Sequence, residues 1–123
     1  MKKIIALILI SMLVPVAVFA DSLPEQARIE FLLKTISEAD VVFIRNGEEH
    51  TAGEAASHLR MKLQNAGGKI KTAEDFINNI ASKSSLTIKP YYIKLKDGTQ
   101  VEAGVWLREK LKGIEDNTEE KHD

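Results

Sequence analysis

The chain contains no cysteine. That one absence excludes disulfides, thiolate metal centres and thiol nucleophiles. It also removes the residue to which a lipid could be attached at a new N-terminus. A small domain without such staples must hold together by packing alone. Proline is scarce, at three in 123 residues, and there is a single tryptophan. Charge of one sign is missing too. The 17 Lys and Arg residues stand against 18 Asp and Glu, which is not the basic excess of a nucleic-acid binder. Beyond residue 20 there is no apolar run of the roughly 20 residues a membrane span needs.

The apolar residues that are strung together lie at the start. Lys2 and Lys3 precede a run from Ile4 to Val14 interrupted only by Ser11, and Pro15 and Val18-Phe19-Ala20 follow. A positive n-region, a short apolar h-region and short side chains at the scissile end make residues 1–20 a secretory signal peptide, cleaved after Ala20. The expectation is therefore a periplasmic protein with no membrane anchor after cleavage. The remainder divides into a compact domain over residues 21–112 and an acidic tail over 113–123. The tail carries Glu115, Asp116, Glu119, Glu120 and Asp123 against Lys121, and its lack of apolar periodicity after Ile114 predicts disorder.

Within the domain the apolar spacing alternates between helical and extended. Ser22-Leu-Pro-Glu25 has the form of a capping box, and Ile29, Leu32, Leu33 and Ile36 give a helical stripe over about 23–38. Val41-Val-Phe-Ile44 reads as a buried strand, ended by Asn46-Gly47, both of which tolerate positive φ. Thr51-Ala-Gly-Glu54 opens a second helix, whose face is Ala52, Ala55, Ala56, Leu59, Leu63 and Ala66 and whose stop is Gly67-Gly68. Thr72 and Asp75 cap a third, striped by Ala73, Phe76, Ile77, Ile80 and Ala81. Tyr91, Ile93 and Leu95 alternate with Tyr92, Lys94 and Lys96, as in a half-buried strand. A last helix carries Trp106, Leu107 and Leu111, with Thr99 as its N-cap. The fold class is α+β: about four helices on a short antiparallel sheet built from 41–45 and 91–96, extended by short strands near 49–51 or 99–101. The strand, turn and helix of the first half echo those of the second. Their shared Leu-Arg-x-Lys-Leu, at 59–63 and 107–111, is ordinary helix composition and requires no duplication.

The densest polar segment is Arg45 to Thr51. His50 sits just before a helix N-cap, where free N–H groups and the helix dipole favour an anion, and Arg45 can grip a carboxylate or phosphate with two donors. Turn and cap chemistry explains the same residues. His58 lies one turn after Glu54 and one before Lys62. No metal site is expected, because His50 and His58 are eight apart and lack the four-residue spacing of paired helical ligands. No cofactor motif is present, and Gly67-Gly68 is a helix stop, not a phosphate loop. No catalytic residue is assigned: Glu48-Glu49 diverge, and Ser84 and Ser85 lie in no Gly-x-Ser-x-Gly or Ser-x-x-Lys setting. Tyr92, alternating with lysines, is the aromatic residue expected at the surface, and Trp106 is expected in the core.

Phe43-Ile-Arg-Asn-Gly47, His50-Thr51 and Ser57-His-Leu-Arg-Met-Lys-Leu63 together resemble the YfeK-like family of small exported bacterial proteins. Thr72-Ala-Glu-Asp-Phe-Ile77, Ser82-Lys-Ser-Ser85 and Lys89-Pro-Tyr91 continue the resemblance in the same order. It covers residues 43–91 and, more loosely, the Trp106-Leu107 helix. It implies export and one compact domain, and it carries over no catalytic or binding residue. It also directs interest to Arg60, which lies within a defining block. One departure is Ile88, which stands where the family has glycine, so a glycine-dependent bend there loses its support.

These readings converge on a non-enzymatic binding or accessory module. Arg45, His50, His58, Arg60 and Tyr92 are its candidate binding residues, and an unknown protein, a peptide or a small anionic ligand its partner. The rivals are a small hydrolase with His50 or His58 as general base toward Ser84 or Ser85, and a purely structural or interaction protein in which the polar residues only tie a corner together.

Overall fold

A computed structural model of the chain describes residues 23–120, with side chains as far as residue 116. The signal-peptide segment, Ser22 and His122 lie outside the described residues. Helix α1 (Glu25–Glu38) buries Ile29, Leu32, Leu33 and Ile36, the stripe its spacing predicts. It starts two residues later than expected, with Pro24 at the N-cap position and no side-chain cap. Glu25 is used elsewhere: its Oε2 accepts from the Ala73 N–H at 3.0 Å, closing the N-terminus of a different helix.

Strands β1 (Val42–Arg45) and β2 (Glu48–Thr51) form a hairpin with Arg45 opposite Glu48. Its two-residue turn has Asn46 at φ 52° and Gly47 at φ 81°, the left-handed pair that matches strand twist. Helix α2 (Ala52–Ala66) follows at once, N-capped by Thr51, whose hydroxyl accepts from the Glu54 N–H at 3.1 Å. Gly67, at φ 62°, ends it, and a 3₁₀ turn spans Gly67–Lys69. Helix α3 (Ala73–Phe76) begins with the expected capping box of Thr72 and Asp75 and widens into a π-helical turn over Ile77–Ala81. All five residues of its predicted stripe are buried.

Strands β3 (Tyr92–Lys94) and β4 (Gln100–Glu102) make a second hairpin, and helix α4 (Ala103–Glu120) follows it directly. Two expectations change here. Thr99 does not cap α4, because β4 intervenes; its N–H instead donates to Asp97 Oδ1 at 2.8 Å within the turn. The tail expected to be disordered from Gly113 is helical to Glu120. Ile114 packs against the core, and Glu115 pairs with Arg28 of α1 at 2.8 Å, so tertiary contacts carry the helix past the end of its apolar pattern.

The four strands form one antiparallel sheet in the order β2-β1-β3-β4. The two central strands pair Phe43 with Ile93, and each outer strand runs straight into a helix. The molecule is thus two hairpin–helix units joined along β1 and β3, an arrangement that shared helix composition alone does not require. Because side chains alternate along a strand, Phe43, Arg45, His50, Tyr91, Ile93 and Val101 face one way. Phe43, Tyr91 and Ile93 among them are buried, together with Leu32, Leu33, Leu59, Phe76, Leu107 and, as expected, Trp106. Phe43 and Tyr91 meet edge to face at 5.6 Å between ring centroids, a favoured geometry for an aromatic pair. Val42, Ile44, Tyr92 and Lys94 lie on the other face, half-buried. None of the described helices is long and apolar enough to cross a membrane.

Candidate functional site

Arg45 ends β1 on the sheet face that receives α2. His58 and Lys62 stand one turn apart on α2, beside its buried Ala55 and Leu59. Tyr91 enters from the start of β3, and Ser84, Ser85 and Leu86 come from the loop after the π-helical turn. Arg45, Asn46, His58, Lys62, Ser84, Ser85, Leu86 and Tyr91 line one open cavity of about 320 Å³. No carboxylate is among its walls.

Three basic side chains share this cavity, and their electrostatics agree with the geometry. Burial lowers the pKa of His58 below its ordinary 6.5, and the nearby charges of Arg45, Lys62 and His50 lower it further. Burial also lowers Lys62, with Arg45 again contributing. The Tyr91 hydroxyl is raised by burial, an effect the positive charge of Arg45 opposes. Arg45 is therefore the charge felt by all three neighbours. Its own guanidinium has no hydrogen bond or ion pair among the described residues.

Lys62 is placed differently. Its ammonium donates to Ile80 O at 2.8 Å, Lys83 O at 3.1 Å and Tyr91 Oη at 3.2 Å. Those three bonds use every N–H it has. One acceptor, Ile80 O, belongs to the last residues of the π-helical turn, where a helix leaves its oxygens unpaired, and Lys83 O lies two residues past its end. Lys62 thus gives the cavity charge without free donors, and it also ties α2 to α3.

Of the residues singled out from sequence, Arg45 and His58 meet in this cavity. His50 lies on the same sheet face but does not line it. Its Nδ1 is 3.5 Å from Glu54 Oε2, and its Nε2, buried and without a hydrogen-bond partner, is 3.9 Å from Glu48 Oε2. The Thr51 hydroxyl and then His50 hold the Glu54 carboxyl below its usual range. Arg60 points elsewhere, gripping Glu30 of α1 through two bonds of 2.9 and 3.0 Å. Tyr92 lies across the sheet, in a shallow cavity of about 320 Å³ with Ile44, Asn46, Gly47, Lys89, Pro90 and Gln100. Sequence reasoning passed over Lys62 and Tyr91 as site residues. The signal for Lys62 is its place one turn after His58; Tyr91, a candidate with Tyr92 and Trp106 for an exposed aromatic patch, is instead buried, with its hydroxyl at Lys62.

The Ser84 hydroxyl is occupied as well. It is buried, and its Oγ accepts from the Leu86 and Thr87 N–H groups at 3.3 and 3.4 Å. No hydrogen bond joins either histidine to Ser84 or Ser85 among the described residues. Nor is any group of three or more His, Asp or Glu side chains there placed to hold a metal ion.

Compared with known proteins, residues 23–115 match the model of a family of unknown function, DUF5329. The chain is 43% identical over 93 residues to a Salmonella typhimurium protein described as "Uncharacterized protein YfeK", a match covering 74% of this chain and 77% of that one. No solved structure matches.

Proposed function

We propose, from the premise that the chain belongs to the DUF5329 family, that it is an exported, non-enzymatic binding module that takes a small anionic group between Arg45 and His58. One observation carries this reading. Three basic side chains line a single open cavity without a carboxylate, and the foremost of them, Arg45, has no hydrogen-bond or ion-pair partner among the described residues. A guanidinium at the end of a central strand, beside the Lys62 ammonium and the His58 imidazole and in no ion pair among the described residues, leaves a positive charge facing the cavity. An anion relieves the repulsion between Arg45 and Lys62 and supplies acceptors for the guanidinium donors. The amide of Asn46 and the hydroxyl of Ser85 offer further hydrogen bonds. Export rests on the apolar leader with its two lysines.

A nucleophilic serine needs a base within hydrogen-bond reach to take its proton. Ser84 is committed to its own turn instead, which favours binding over hydrolysis. The test is titration with inorganic phosphate, followed by calorimetry or amide chemical shifts. Phosphate is expected to perturb Arg45, His58 and Ser85, and Arg45→Gln is expected to weaken binding by about tenfold or more without changing the melting temperature. Phosphate binding that is unaltered in Arg45→Gln would remove the site.

A further inference from the structure

The loop that reaches this cavity through Leu86 carries the two most exposed large apolar side chains among the described residues. Leu86, which lines the cavity, is 95% exposed, and Ile88 is 71% exposed. They belong to a segment, 85–90, in which every residue is exposed. The segment is nevertheless fastened. Ser84 accepts through Oγ from residues 86 and 87, its N–H donates to Lys89 O at 2.9 Å, and its carbonyl accepts from the Ile88 N–H at 3.0 Å. The Thr87 hydroxyl donates to Asn46 Oδ1 at 2.8 Å, latching the loop to the β1–β2 turn. Ile88 itself sits at φ 63°, a conformation β-branched residues avoid. A constrained loop therefore holds two large apolar side chains out in water, one of them in a strained backbone.

The loop's own stretch of chain is basic, and the exposed Glu48 of β2 lies two residues past the Asn46 latch. Lys83 and Lys89 bracket the loop, both exposed and neither in an ion pair among the described residues. Lys69 lines an adjoining groove that shares Lys62 and Ser85 with the cavity. The sequence has no acidic residue between Asp75 and Asp97. On the loop's other flank, Tyr92 and Pro90 border the second shallow cavity. Apolar tips ringed by lysines, with a tyrosine at their base, are the chemistry of a protein that rests on an anionic membrane surface.

We infer that the anion taken by the Arg45–His58 cavity is the phosphate of an anionic phospholipid, met at a membrane surface into which Leu86 and Ile88 insert. This rests on the anion-binding reading and adds the source of the anion. A soluble phosphate needs the cations but gives no use to an apolar loop. A lipid phosphate uses both, since the acyl region begins where the loop ends. Two inserted side chains give weak, reversible attachment, so the lysines must supply much of the attraction.

The test exploits the absence of cysteine. In the full chain, Leu86→Cys gives one attachment point for an environment-sensitive fluorophore, and Lys34→Cys on α1 gives a control. Every arm compares variants of the same chain, so the N-terminal apolar segment contributes equally. With mixed phosphatidylglycerol–phosphatidylcholine vesicles, the label at 86 is expected to shift to the blue and the label at 34 to stay unchanged. Phosphatidylcholine alone should give no shift. Adding Arg45→Gln or Ile88→Ser is expected to weaken the response by about tenfold. In parallel, glycerol 3-phosphate is titrated into the unlabelled chain. If it binds through Arg45 while position 86 never senses the vesicles, the membrane source is wrong and the anion site survives. A response equal at 86 and 34, or equal on both vesicle types, also overturns the inference. If glycerol 3-phosphate fails to bind as well, the anion site falls with it.

Discussion

Ile88 shows how much a single residue can hold against its own preference. The family resemblance implies glycine at this position, and isoleucine there argues against a glycine-dependent bend. The bend exists all the same, at φ 63°. The hydrogen bonds of Ser84 over-determine it, and Ile88 adopts the left-handed conformation that glycine reaches freely. Since the Ile88 side chain is mostly exposed, replacing it removes strain and little packing. Ile88→Gly is expected to raise stability by about 1 kcal/mol, as the relief of strain outweighs the added freedom of the unfolded chain. Urea denaturation measures this directly, and a loss of stability would show that the loop is not strained. The same residue scale explains why the site was half legible. Arg45 and His58 stood out because their polarity interrupts apolar patterns. Tyr91 did not, because a buried tyrosine and a core phenylalanine look alike in an alternating strand.

At the scale of elements, local chemistry spoke clearly wherever the signal was short-range. The Asn46-Gly47 turn, the Thr51 and Thr72 caps, the stripes of α1 and α3 and the alternation from Tyr91 all have the form their residues dictate. What failed was decided by distant contacts. The short strand expected near 99–101 forms at Gln100–Glu102 against β3, and its pairing takes Thr99 away from the cap position. The end of α4 became helical because Arg28 and the core receive it. Glu25, whose sequence context pairs it with Ser22 outside the described residues, accepts from the α3 N-terminus 48 residues away in sequence. Lys62 is the element-scale device with the largest expected effect, since it closes the carbonyls of Ile80 and Lys83. Lys62→Met keeps the stem and deletes the donors. It is expected to cost about 1–3 kcal/mol and to speed amide hydrogen exchange over 77–83 more than elsewhere. Uniform exchange would mean that the π-helical turn does not depend on Lys62.

For the whole molecule, the titration of His58 couples stability to ligand. Facing it are Arg45 from β1, His50 from β2, and Lys62 from its own helix, while the Glu54 carboxyl one turn earlier is engaged with Thr51 and His50. Folding lowers its pKa, so the unfolded chain binds the proton more tightly. The stability His58 contributes is therefore complete above its ordinary value near 6.5 and is lost as pH falls through the lowered, folded value. An anion in the cavity stabilises the protonated imidazole and opposes that loss. Denaturation midpoints are expected to fall with acidification below about pH 6.5 and to fall less with phosphate present. His58→Gln should flatten both dependences. Equal slopes in wild type and His58→Gln would assign the titration to another group.

The sheet order carries one more consequence, for crowding of the protein with itself. Both open edges are short: β2 has four residues and β4 three. Carboxylates stud them, with Glu48 and Glu49 on one and Glu102 on the other, and each strand bends at once into a helix. Two copies brought together edge to edge would oppose like charges across a ladder too brief to repay the contact. The fold therefore leaves its backbone edges open to water without offering a template on which further copies can grow.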